Sequence, residues 1–210
     1  MVCRRLVSVR SNRHFLATDF SKFENGTVNY LDIPAITNGL NFINNIHIKT
    51  ISNRTEELCC LLIRKLQELR HNNCLPLIKI YGPKDTKNRG ATILLNFFDI
   101  RGQQFPYQTI EEAANEKLIS FRTGCFCNPG IDEINSNIPA EYLNKYFVSR
   151  ETADYYDMIT FLGRLRGAIR ISVGIPTITI DIAKFISFTK MFLNTTVPSR
   201  NMVFPSDLLV

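Results

Sequence analysis

The chain has 210 residues, 45% of them hydrophobic and 21% charged, with a formal net charge of +6. That balance suits a soluble globular fold with a real core, and no apolar run reaches the roughly 18 residues a membrane span needs. The basic residues are scattered among acids, with no basic block interleaved with aromatics, which argues against nucleic-acid binding.

Met1–Arg13 carries Arg4, Arg5, Arg10 and Arg13 and no acid before Asp19, a pattern also found in mitochondrial presequences. Residues 1–22 have little periodicity. An Asn25-Gly26 turn follows, and Pro34 then opens a helical pattern with Ile36, Leu40 and Ile43 on one face. After a break at 45–52, Thr55–Leu69 repeats the helical period through Leu58, Leu62, Leu66 and Leu69, with Asn72-Asn73 as a stop. Leu77–Tyr81 and Ala91–Phe97 read as strands. Thr109–Glu116 reads as a helix with Thr109 as cap and Glu112 at capping-box spacing. Leu118–Phe121 is a third strand, and Pro139 begins a helix with Leu143 and Phe147, followed by another at 151–162. Gly167–Val173 is a strand, and Thr179–Phe192 a helix with Ile182, Phe185 and Ile186 facing inward. Residues 194–210 read as a tail. Alternating strands and helices indicate an α/β layer.

Six cysteines stand at positions 3, 59, 60, 74, 125 and 127, with no regular spacing. No secretory signal is evident, so reduced thiols and a cytoplasmic setting are expected, and the three Asn-x-Thr sequons are chance matches. Zinc needs about four ligands; with His14, His47 and His71 far off in sequence, no metal site is expected. The densest chemistry lies in Arg122-Thr123-Gly124-Cys125-Phe126-Cys127-Asn128-Pro129-Gly130. An Asn-Pro-Gly turn projects side chains from a loop, and Arg122 beside the thiols favours the thiolate. The alternative is a loop with two half-buried structural cysteines.

Three segments together carry a resemblance. Phe23–Ile33, beginning Phe-Glu-Asn-Gly-Thr, the loop Arg122–Gly130, and the strand Gly167-Ala168-Ile169-Arg170-Ile171-Ser172-Val173-Gly174 resemble, in order and spacing, segments of the molybdenum cofactor sulfurases. The similarity is to their cysteine-desulfurase-like, class V aminotransferase domain and covers roughly residues 15–192. It implies the C-terminal part of a pyridoxal-phosphate-dependent transferase of the aspartate-aminotransferase-like fold type I. A small α/β domain would be preceded by helices of the large domain: 1–75 as remnant of the cofactor-binding domain, 76–193 as the small domain with the cysteine loop, 194–210 as tail. The Arg-rich start then reads as the continuation of a longer chain.

The resemblance implies desulfuration of L-cysteine and transfer of the sulfur to the molybdenum cofactor. By matched position, Cys127 is the nucleophile that carries the persulfide, with Cys125 as an auxiliary thiol. Its thiolate needs a pKa below the free value of about 8.5. Arg170 clamps the substrate carboxylate with its planar fork. Gly26 and Thr27 reach the cofactor phosphate across a dimer interface, which implies a homodimer. Two departures stand out. Ile131-Asp132 replaces the family's Ala-Cys pair after the loop, and the lysine that anchors pyridoxal phosphate lies upstream of the Phe23–Thr27 turn in the family, where this chain has no counterpart; Lys22 is misplaced. A Schiff base needs a positioned lysine, so the isolated chain is expected to be an inactive fragment of a sulfurtransferase. The alternatives are a non-catalytic sulfur-acceptor or interaction module, and a fragment of an iron–sulfur-type cysteine desulfurase.

Overall fold

The computed structural model describes residues 6–10, 13–23, 29–85, 89–124, 126, 128, 131–135, 137–149, 151–152, 155–163 and 165–197. Two compact units are present, Met1–Thr50 and Ile51–Val210.

In the first unit, β1 (Leu6–Arg10) and β2 (Arg13–Leu16) form an antiparallel hairpin where the aperiodic sequence indicated no element. Helix α1 (Ile33–Ile46) starts with Pro34 in its first turn, where the missing N–H costs nothing. None of its residues is buried, and Ile36, Leu40 and Ile43 form an exposed stripe at helical spacing. Helix α2 (Ile48–Gln67) begins one residue after α1 ends, earlier than the expected start at Thr55. His47, the residue between them in sequence, has a positive φ of 68°.

The second unit is built on a four-stranded sheet in the order β3 (Ile78–Tyr81), β4 (Thr92–Phe97), β6 (Ala168–Ser172), β5 (Arg122–Gly124), every neighbouring pair antiparallel. Side chains alternate between faces. One face presents Ile78, Ile80, Ile93, Leu95, Phe97, Ile169 and Ile171 to a single apolar cluster. That cluster also takes Leu58, Leu62 and Leu66 from α2, Ile110 and Ala114 from α3 (Tyr107–Glu116), and Ile182, Phe185, Ile186 and Phe188 from α6 (Thr179–Lys190). Each such large side chain contributes roughly 1.5–3 kcal/mol when fully buried. Helices α4 (Ala140–Val148) and α5 (Tyr155–Leu162) carry a separate buried set, Tyr146, Met158 and Ile159, outside that cluster.

Two local expectations need correction. Helix α3 is preceded by Pro106, not capped by Thr109, which lies within its first turn. The third strand is Arg122–Gly124, not Leu118–Phe121. Leu118 is left-handed (φ 54°), and the amides of Leu118 and Ile119 donate to the carbonyls of Asn115 and Ala114. This is a Schellman closure of α3 that consumes the residues expected to extend. Residues 192–197, which follow α6, are tied to the body of the second unit. Phe192 packs edge-on against Phe97, Phe105 and Phe188 at 5.3–5.5 Å. The amide of Asn194 donates to Nδ1 of buried His71, and the amide of Val197 to the carboxylate of buried Asp99.

Candidate functional site

The sheet face opposite the helices carries the polar chemistry. Cross-strand register aligns Tyr81, Leu94, Arg170 and Arg122 in one row over the four strands. Residues directly opposite share a face, so the two arginines stand side by side next to the segment that runs into the cysteine loop. Neither has a carboxylate partner among the described residues. Instead both guanidiniums lie over the ring of Phe126, with Cζ 5.4 Å from its centroid for Arg170 and 5.7 Å for Arg122. The Nε of Arg170 is shielded from water and has no hydrogen-bond partner among the described residues. A buried donor without a partner marks either a cost or an absent ligand. A planar anion would satisfy it, because the guanidinium fork matches carboxylate geometry.

The backbone around these arginines is tightly specified. Gly124 ends β5 with φ 108°, and Gly167 precedes β6 with φ 79°. The two approach so closely that a Cβ on Gly167 would lie 3.1 Å from Gly124 C, 3.2 Å from Gly124 O and 3.0 Å from Tyr107 Cε1. The carbonyl of Gly167 accepts a 3.1 Å hydrogen bond from Nδ2 of buried Asn96, which also donates to the Tyr81 hydroxyl at 3.2 Å. Burial raises the Tyr81 phenol pKa, and the Asn96 bond opposes that shift. On the helix-facing side, Thr123 donates through Oγ1 to Glu111 of α3 at 2.8 Å. At the far end of β6, Arg54 of α2 donates to the carbonyls of Ile175 and Thr177 and fixes the exit loop. Arg122 and Arg170 are therefore held by backbone contacts on both strands that carry them.

Of the residues singled out from the sequence, Arg170 is described and stands in this cluster. Cys125, Cys127, Gly26 and Thr27 lie outside the described residues. Phe126, Asn96, Glu111 and the Gly124–Gly167 contact were not singled out; only the loop motif hinted at Phe126. Of the remaining cysteines, Cys59 is buried while Cys60 and Cys74 are exposed. Burial pushes the Cys59 thiol pKa up, and the nearby Arg89 charge pulls the other way. Among the described residues, no three of His, Cys, Asp and Glu cluster as a metal site would require. No described helix is long and apolar enough to cross a membrane.

The chain as a whole, with its helix-backed antiparallel sheet, has relatives. A family model for class V aminotransferases matches residues 4–185, and the chain belongs to that family. Within it, the chain is similar to the molybdenum cofactor sulfurase of Arabidopsis thaliana, 31% identical over 179 residues, covering 79% of this chain and 21% of that protein. The human molybdenum cofactor sulfurase is 28% identical over 173 residues, covering 80% and 19%. The chain thus spans about a fifth of the length of these curated relatives. Among solved structures, the apo cysteine desulfurase of Thermococcus onnurineus NA1 superposes with a TM-score of 0.53 at 16% identity, over 90% of this chain and 38% of that one. The fold is that of fold type I enzymes.

Pyridoxal phosphate is the cofactor that family implies. Its anchor is an amine held in place beside the ring. Lys22 lies over the Phe23 ring, Lys65 pairs with Glu68, Lys79 lies over Tyr81, Lys145 over Tyr142, and Lys184 donates to the Leu118 carbonyl. Lys49, Lys84, Lys117 and Lys190 are exposed to solvent. Among the described residues no lysine is buried, so none is enclosed as an anchoring amine would be.

Proposed function

We propose that this chain is the sulfur-carrying part of a protein of the molybdenum cofactor sulfurase type, with Cys127 as persulfide bearer and Arg170 as carboxylate clamp. The observation that carries the reading is the buried Nε of Arg170, without a partner among the described residues, on the strand paired with the one that leads into the Cys125-Phe126-Cys127 loop. An amino-acid carboxylate held there would bring a sulfur-bearing ligand to the loop. In the transfer step the Cys127 thiolate attacks the outer sulfur of a donor persulfide. A new S–S bond forms on Cys127, the donor S–S bond breaks, and the donor leaves as a thiolate with the electron pair. Arg122 and Arg170 supply the positive field that favours the attacking thiolate. In this reading L-cysteine is the ultimate sulfur source, the molybdenum cofactor the final acceptor, and Cys125 an auxiliary thiol. Gly26 and Thr27 would meet a cofactor phosphate across a homodimer interface.

The test is persulfide labelling of the purified full chain after incubation with an active cysteine desulfurase and L-cysteine. Label on Cys127 that C127S abolishes and C125S retains supports the reading. A folded chain that takes no label refutes it. Added pyridoxal phosphate should give no absorbance band that responds to cysteine; a band with turnover would show that the chain desulfurates cysteine by itself.

A further inference from the structure

We infer that Phe126 is a positioning residue: its ring holds the guanidiniums of Arg170 and Arg122 so that their N–H edges remain open to one planar carboxylate. This rests on the reading of Arg170 as the carboxylate clamp and adds what makes that clamp stable and selective.

The starting point is a conflict of charge. Arg122 and Arg170 are direct cross-strand partners, a placement in which like charges repel. An acid between them would resolve it, yet neither has one among the described residues. The ring of Phe126 takes that place, with the two Cζ atoms 5.7 and 5.4 Å from its centroid. Both distances fall within the range over which an aromatic quadrupole attracts a cation. The aromatic contact engages the flat face of a guanidinium, whereas hydrogen bonding uses its in-plane edge. The two are compatible, so the ring can fix the orientation of the fork without consuming its donors.

Two further observations point the same way. Phe126 has φ 57°, the left-handed region that a bulky side chain rarely adopts. Such strain persists where surrounding contacts over-determine it, and its contacts with the two arginines are of that kind. The second is the Nε of Arg170, shielded from water and without a hydrogen-bond partner among the described residues. A guanidinium held beside the ring, with its Nε unfilled among the described residues, is preorganised to receive a carboxylate.

The test uses the full chain labelled with 15N and follows the Nε–Hε resonances of arginine, assigned with R122K and R170K, during titration with L-alanine, a carboxylate ligand with no thiol. In the wild type both resonances should show the ring-current displacement of a nearby aromatic face and should shift as L-alanine binds. F126L keeps apolar bulk without a π face; it should lose the displacement and bind L-alanine roughly tenfold more weakly. F126Y keeps the ring and should stay within about twofold of the wild type. Unchanged binding in F126L, equal weakening in F126Y, absence of ring-current displacement in the wild type, or failure of the wild type to bind L-alanine would each overturn the inference. Persulfide on Cys127 is scored in the same samples. Its absence, with L-alanine binding still dependent on residue 126, removes the sulfur-transfer reading and leaves the positioning role standing. Its presence, with binding indifferent to residue 126, does the reverse.

Discussion

Replacing Gly167 with alanine probes the contact that joins β6 to the loop-bearing strand. The added Cβ would sit 3.0–3.2 Å from Tyr107 Cε1 and the Gly124 backbone, at a residue whose φ is 79°. Placing a Cβ in left-handed geometry costs about 1–2 kcal/mol, and crowding a packed site adds about 1–3 kcal/mol. Stiffening of the unfolded chain returns about 0.4–1 kcal/mol. The net loss is about 2–3 kcal/mol, or a fall in Tm of roughly 5–10 °C for a chain of this size. Gly163 provides the control: its φ is 60° but nothing lies within 4 Å of its Cβ position. Only the backbone part applies to G163A, about 0.5–1 kcal/mol net. Both variants are measured by guanidinium unfolding, with m expected to be unchanged. If G167A and G163A fall within about 0.5 kcal/mol of each other, the close approach of Gly167 to Gly124 is not what orders this corner.

Three further outcomes follow from other contacts. The Asp99 carboxylate is buried, which raises its pKa, but the amides of Gln103, Val197 and Arg101 and the Arg101 side chain more than offset this, leaving the pKa below 3.8. A lowered folded-state pKa contributes stability that is fully present above the unfolded value and lost as pH falls through the folded one. D99N should therefore flatten the acid limb of the stability profile below about pH 4, read by urea unfolding at a series of pH values. Leu118 is 86% exposed and left-handed, so L118G should relieve strain and raise stability by about 0.5–1 kcal/mol in the same assay. Iodoacetamide should modify Cys60 and Cys74 in the native chain well before Cys59, whose thiol is buried with a raised pKa; equal rates in peptide mapping would contradict the packing of α2.

The parts of the fold legible in the sequence are those set by local periodicity. The stripes of α1 and α2, the apolar runs of β3, β4 and β6, and the inward face of α6 each declare themselves within a few residues. Errors arose where a single residue's backbone geometry redirected the chain. Left-handed Leu118 closes a helix, although Leu-Ile-Ser-Phe has strand composition, and Pro106 displaces the expected cap at Thr109. In the hairpin at 6–16 only Val7-Ser8-Val9-Arg10 alternates, a run too short to announce a strand by itself. At the site, the nine-residue loop and Arg170 were readable as a motif. The pairing of Arg170 with Arg122 was not, because it depends on strand register between segments 48 positions apart. Phe126 acquires its place only through that pairing.

The row of Tyr81, Leu94, Arg170 and Arg122 has a consequence for how the sheet assembles. Strand β5 contributes only three residues, too few for hydrogen bonds alone to hold it in line. A slip by one position would turn Arg122 into the cluster beneath α3 and α6 and bring Thr123 out beside Arg170. Burying an unpaired guanidinium there would cost far more than the lost strand bonds. The positive charge that suits this face to an anion thereby also rejects misaligned pairings, so a neutral substitution at Arg122 would loosen both at once.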